Sequence, residues 1–193
     1  MTRTGGQVVA DHLVAQGVTT AFGVAGESFL SVLDGIWQRR DRLRFVPARH
    51  EATASHMAEA WGKLTGRPGV CLVTRGPGAA HAAVGVHTAA QDSTPLLLLV
   101  GQVRREHRGR EAFQEVDLAA LFAPIARWAV EVERADDIPA VLARAWEAML
   151  GDRPRPVVVA LPEDVLREQT DAGDVPLIIP TWREPEADDV DYL

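Results

Sequence analysis

Apolar residues return along this chain in two alternating rhythms. Between residues 7 and 16, Val9, Ala10, Leu13 and Val14 share one helical face, and Gly17 supplies a stop. Residues 19–24 read as a short strand, and after Gly26 the set Phe29, Val32, Leu33, Ile36 and Trp37 restores helical spacing on what should be a buried face. The alternation predicts strand 43–48, helix 51–64, strand 69–74, helix 77–90, strand 95–100, a short helix near 115–122 and strand 125–132. A further helix carries Ile138, Val141, Leu142, Ala145, Trp146 and Met149, with Pro139 in its first turn, and strand 156–161 follows. Each strand is short and almost wholly apolar. Such strands are buried on both faces, so helices must cover both sides of a parallel sheet, which is an α/β layered sandwich.

From about Asp171 the rhythm stops. Pro176, Pro180 and Pro185 mix with acidic residues at 184, 186, 188, 189 and 191, the composition of a linker or tail, which leaves one domain over residues 1–170. The 193-residue length, with 47% hydrophobic and 24% charged residues, is enough for one substantial core. A net charge of −7 argues against a general nucleic-acid surface, which needs clustered cations. The longest uninterrupted aliphatic run, Leu96 to Val100, is too short to cross a bilayer, and the first residues lack a secretory pattern; the expectation is a soluble cytoplasmic protein. Cys71 lies inside an apolar strand and reads as a small buried hydrophobe rather than a nucleophile.

Ligands of open α/β sheets collect outside the carboxyl ends of the strands. Three such turns stand out here: Gly23-Val24-Ala25-Gly26, His50-Glu51 and Thr74-Arg75-Gly76-Pro77-Gly78, all of which can face one edge. Neither glycine-rich turn has the G-x-G-x-x-G or G-x-x-x-x-G-K-[ST] pattern that cradles nucleotide phosphates. His50 and His56 are six apart rather than four, so the helical zinc motif fails, and the histidines at 12, 81, 87 and 107 have no companion carboxylate by spacing. On its own, Glu51 reads as a dipole-favoured charge at a helix start. Residues 104–111 form the one basic cluster, by default a solvated loop and alternatively an anion-recognition or subunit-contact loop. The small residues of helix 77–90 admit close approach by another helix, within the subunit or from a partner.

Six segments occur in matching order: Phe22-Gly23-Val24-Ala25-Gly26, Arg49-His50-Glu51, Ala58-Glu59-Ala60-Trp61-Gly62-Lys63, Thr65-Gly66-Arg67-Pro68-Gly69-Val70, Val73 through His81, and Ala112-Phe113-Gln114-Glu115. Together they resemble the pyrimidine-binding (Pyr) domain of thiamine-diphosphate enzymes in the acetolactate-synthase-like group, over residues 5 to 170. The resemblance implies a three-layer sandwich with a six-stranded parallel sheet, packed against a partner in a dimer. It implies that Glu51 is the catalytic glutamate, whose carboxyl group hydrogen-bonds the N1′ nitrogen of the cofactor's aminopyrimidine and so promotes proton loss from thiazolium C2. For that role Glu51 should sit in apolar surroundings in the assembled enzyme. Gly26, Pro77 and His81 would lie near the aminopyrimidine, and Phe113 and Gln114 on the substrate side. Ala25 stands where the family commonly has proline, and His81 where its carboligases usually have asparagine, a departure from the strict acetolactate synthase pattern.

The Mg²⁺ that holds the diphosphate is bound in this family by another domain carrying Gly-Asp-Gly and a downstream Asn. Here Gly151-Asp152 and Gly173-Asp174 continue as Arg-Pro and Val-Pro, so no metal ligand is expected in this chain. The implied function is the Pyr half of a 2-keto-acid carboligase or decarboxylase acting on a substrate such as pyruvate. It would be inactive alone and completed by a diphosphate-binding domain or subunit. The alternative is a non-catalytic dimerising domain that keeps the fold.

Overall fold

A computed structural model describes residues 2–179. Arg3–Thr4 (β1) leads into helix Gly5–Ala15 (α1), where Thr4 and Gln7 cap each other reciprocally. There follow Thr20–Gly23 (β2), Leu30–Gln38 (α2), Arg44–Pro47 (β3), Glu51–Thr65 (α3), Gly69–Thr74 (β4) and Arg75–Gln91 (α4). Leu96–Gln102 (β5), Leu118–Phe122 (α5), Trp128–Glu131 (β6), Ile138–Met149 (α6) and Val157–Pro162 (β7) complete the alternation. Glu163–Arg167 (α7) and Gln169–Thr170 (β8), too short for periodicity to signal, bring the chain back to pair antiparallel with β1.

Six strands form one parallel sheet in the order β3-β2-β4-β5-β7-β6. This is the three-layer α/β sandwich that the apolar runs imply. Period-two alternation along the central strands splits the core into two layers. Leu97, Leu99, Val157 and Val159 join Leu13, Ile36, Leu142 and Trp146 from α1, α2 and α6. Leu96, Leu98, Val100 and Val158 face the other way, onto Ala58, Ala82, Val86 and Phe122 from α3, α4 and α5. Each fully buried Leu or Val contributes roughly 1.5–3 kcal/mol, so these two layers carry most of the driving force for folding. The edge strands β3 and β6 are only partly covered, unlike the central ones.

Trp37 departs from expectation. It is 65% exposed, with the Arg40 guanidinium 4.6 Å above its ring. The buried stripe of α2 is Val32, Gly35 and Ile36, and the next residue is turned about 100° away from that stripe, so Trp37 faces solvent.

Beyond β8, residues 171–179 return along α1. Gln16 donates to the Pro176 carbonyl and accepts from Ile178 N–H, while Arg3 bonds Asp174 and the Ala172 carbonyl. Pro180, Pro185 and the acidic positions of the expected tail lie outside the described residues. Among the described residues, no helix is long and apolar enough to cross a membrane.

Candidate functional site

Because the strands run parallel, the turns after β2, β3, β4 and β5 gather at one edge of the sheet. His50 caps α3, its Nδ1 accepting the Ala52 N–H at 3.2 Å, and Glu51 is the first residue of that helix. The carboxylate is no free surface charge. Its side chain keeps only 15% exposure, and its Oε2 lies 2.9 Å from His81 Nδ1 on α4. The His50 and His81 rings stack with centroids 4.6 Å apart, tilted by 30°.

The small residues of α4 make this approach possible. A Cβ at Gly85 would come within 2.4 Å of Ser55 Oγ and 2.8 Å of the Ser55 carbonyl carbon, so α3 and α4 touch almost backbone to backbone. Helix 77–90 therefore makes an internal contact with its inner face, while Pro77, Ala80, Val84 and His87 remain exposed on the outer one. One turn before His81, a Cβ at Gly78 would stand 3.6 Å from Glu51 Oε1; its absence leaves room beside that oxygen.

Gly26 closes the neighbouring turn. A Cβ there would meet Thr74 Cβ at 2.5 Å, so the loop after β2 rests on the end of β4, where the Ser28 and Thr74 hydroxyls share a hydrogen bond. Pro77 is the third residue of α4, where its missing N–H costs no helical bond. Arg75 begins α4 with φ +46°, and its largely buried guanidinium pairs with Glu27 at 3.0 Å and Glu163 at 3.4 Å.

Phe113 and Gln114 occupy the loop after β5. The Gly76 N–H donates to the Gln114 carbonyl at 2.9 Å, which pins this loop to the first turn of α4. Glu115 folds back on the same loop. Hydrogen bonds from the Gly109 and Ala112 N–H groups hold its carboxyl below the usual range. Phe113 projects outward, 75% exposed, and lines a groove with Arg75, Arg104, His107 and Glu163. Within the basic cluster, Arg105 pairs with Asp164 and Glu168, and Arg108 with Glu131 at 3.0 Å. These two cations tie the loop to its own chain.

The geometry thus joins Glu51, His81 and the Gly78 gap directly, and sets Gly26 and Pro77 beside the same strand end. Phe113 and Gln114 stand across the first turn of α4. His81, which spacing left without a companion carboxylate, has Glu51; the 30-residue separation hides a pairing that only the α3–α4 packing creates. Cys71 is fully buried, and burial together with the Glu51 charge pushes its thiol far above the usual range, which leaves it unreactive.

Comparison with known proteins gives a consistent set of similarities. The family model described as "Thiamine pyrophosphate enzyme, N-terminal TPP binding domain" matches residues 3–121. The chain is 38% identical over 185 residues to acetolactate synthase of Bacillus subtilis, covering 96% of this chain and 32% of that protein. It is 40% identical over 163 residues to the acetolactate synthase isozyme 3 large subunit of Escherichia coli, covering 84% and 28%. Against the mitochondrial acetolactate synthase catalytic subunit of Saccharomyces cerevisiae, identity is 38% over 162 residues, covering 84% and 23%. The chain spans about a third or less of these relatives.

Proposed function

Since the chain belongs to the thiamine pyrophosphate enzyme family, as its N-terminal TPP-binding domain, we propose that it supplies the aminopyrimidine half of an acetolactate-synthase-like site acting on a 2-keto acid such as pyruvate. One observation carries this reading. Glu51 is largely enclosed at a helix start, with one oxygen held by His81 and the other beside the gap that Gly78 leaves. Such a carboxyl group fits a flat heteroaromatic ring whose nitrogen needs a hydrogen-bond partner, and the missing side chain at Gly78 keeps Oε1 unobstructed from that side.

Bound thiamine diphosphate would supply the acidic carbon and the electron sink for loss of CO₂ from the keto acid. The chain's own part is positional and protonic. Glu51 would hold the ring nitrogen and share its proton, and an apolar partner surface closing over the site would strengthen that bond by excluding water. His81 would keep Glu51 Oε2 engaged so that Oε1 stays directed at the ring. Gly26 and Pro77 would border the ring, and Phe113 and Gln114 the substrate.

The diphosphate and its Mg²⁺ would be held by a separate domain or subunit, since neither Gly-Asp pair here continues as Gly-Asp-Gly. The exposed outer face of α4, with Val84 at 47% exposure, would serve pairing with a second Pyr domain. We assign residues 1–170 to the Pyr unit and the remainder to a linker.

The test combines the full chain with a diphosphate-binding chain of the family, thiamine diphosphate, Mg²⁺ and pyruvate, and measures both cofactor binding and CO₂ release. Release should need both chains, and Glu51→Gln should cut it by about 10²- to 10⁴-fold, the usual range for a positioned acid–base group. A mixture that binds cofactor and remains fully active with Glu51→Gln overturns the reading.

A further inference from the structure

His50, Glu51 and His81 each offer a ligand atom, and these atoms all lie within 4.8 Å of one another. We propose that this trio is a transition-metal site for a Zn²⁺-class ion, formed across the start of α3 and the second turn of α4. Two imidazoles and one carboxylate are a donor set that such ions prefer, and three protein ligands leave a coordination position open for water or another small ligand.

The geometry is close to that of a formed site. Nitrogen and oxygen ligands about 2.0–2.1 Å from a tetrahedral ion stand about 3.3 Å from each other. Glu51 Oε2 and His81 Nδ1, at 2.9 Å, need to open only slightly for an ion to replace the proton between them. His81 then carries its proton on Nε2, and because this side chain is 53% exposed, solvent can satisfy that group. His50 stacks on His81 with its ligand atom within 4.8 Å of the other two, so its ring must move toward the carboxylate to bring a nitrogen onto the same point.

The cost falls on His50. A neutral imidazole has one lone pair, and here Nδ1 spends it on the Ala52 N–H at 3.2 Å. Ligation through either nitrogen sacrifices that long capping bond. Three coordinate bonds then replace two hydrogen bonds, the long cap at an exposed helix end and the Glu51–His81 contact.

The site goes beyond the cofactor reading and does not depend on it. An ion here engages Glu51 Oε2, the oxygen that faces His81, whereas the aminopyrimidine reading uses Oε1.

The experiment uses the full chain, stripped of metal and free of thiamine diphosphate, titrated with Co²⁺ while visible d–d absorption is followed, with Zn²⁺ as competitor. We expect saturation at one equivalent and displacement by Zn²⁺. His81→Ala and, separately, His50→Asn, which retains a capping side chain, should each weaken binding by at least about 100-fold, beyond the 10- to 100-fold typical of outer-sphere partners. His87→Ala and His107→Ala should bind as the parent does. Circular dichroism confirms that each variant is folded, and Glu51→Gln offers a third probe of the same site with near-identical shape. Absence of saturation at one equivalent, or undiminished affinity in the folded variants at 50, 51 and 81, overturns the proposal. Because the titration contains no cofactor, its failure leaves the function of Glu51 in catalysis to be judged by CO₂ release alone.

Discussion

Lowering the pH from 7.5 to 5 should destabilise this protein through one residue, His12. It lies on α1 at 3% exposure, edge-on to the Trp146 ring at 5.3 Å, and neither ring nitrogen has a hydrogen-bond partner among the described residues. Burial pushes its pKa down from 6.5 to about 4, against a weaker pull upward from Asp174. The sign follows from which state binds the proton. The unfolded chain takes up a proton near pH 6.5, whereas the folded protein resists until about pH 4, so stability is complete above 6.5 and drains away between the two values. The interval of 2.5 between 6.5 and 4, at 1.36 kcal/mol each, comes to about 3 kcal/mol, of which about 2 is already lost at pH 5. That is a large share of the roughly 5–15 kcal/mol typical of a domain. Urea unfolding of the parent and of His12→Leu at pH 7.5 and pH 5 measures it. The parent should lose about 2 kcal/mol more than the variant over that interval. Other titrating groups, such as Glu131, whose carboxyl is raised by burial, are common to both proteins and cancel in the difference. Parallel losses in parent and variant would refute the assignment to His12.

Other outcomes follow from the same contacts. Gly85→Ala should lose on the order of 1–3 kcal/mol of stability despite alanine's better helix propensity, because the new Cβ meets Ser55 side chain and backbone; a variant as stable as the parent in urea would show that α3 and α4 can separate cheaply. Cys71 should resist a thiol reagent in native buffer and react fully in denaturant, and rapid native labelling would contradict its burial. Arg105→Ala should cost less than about 1 kcal/mol, since its ion pairs are partly exposed, yet raise amide exchange across residues 105–116; unchanged exchange would mean that Glu115 and the Gly76–Gln114 bond hold the loop by themselves.

Much of the fold was legible because burial writes a period into the chain. All six strands of the parallel sheet fall within three residues of the expected runs, since the central ones are apolar stretches that only a two-sided sheet can hide. α1 begins two residues earlier than the expected run 7–16, because Thr4 and Gln7 cap a turn that starts with two glycines. α4 likewise starts at Arg75, inside what reads as a glycine-rich loop, because proline and glycine are tolerated in a first turn that needs no internal N–H donors. Trp37 shares the helical spacing of its apolar neighbours yet falls one step past the buried stripe, on the solvent side of α2.

The site divides in the same way. The sequence by itself determined that a carboxylate opens a helix at a strand end, that glycines recur at the adjacent ends, and that the ordered segments belong to one family. Those are properties of local order, and order along the chain is what a sequence records. Only the tertiary structure decided that His81 meets Glu51, that His50 stacks beside it, and that the gap at Gly78 opens beside the second carboxylate oxygen. These contacts span 30 residues and depend on two helices approaching to backbone distance. That approach is set by the missing side chain at Gly85 against Ser55, and no periodicity of polar and apolar positions carries it.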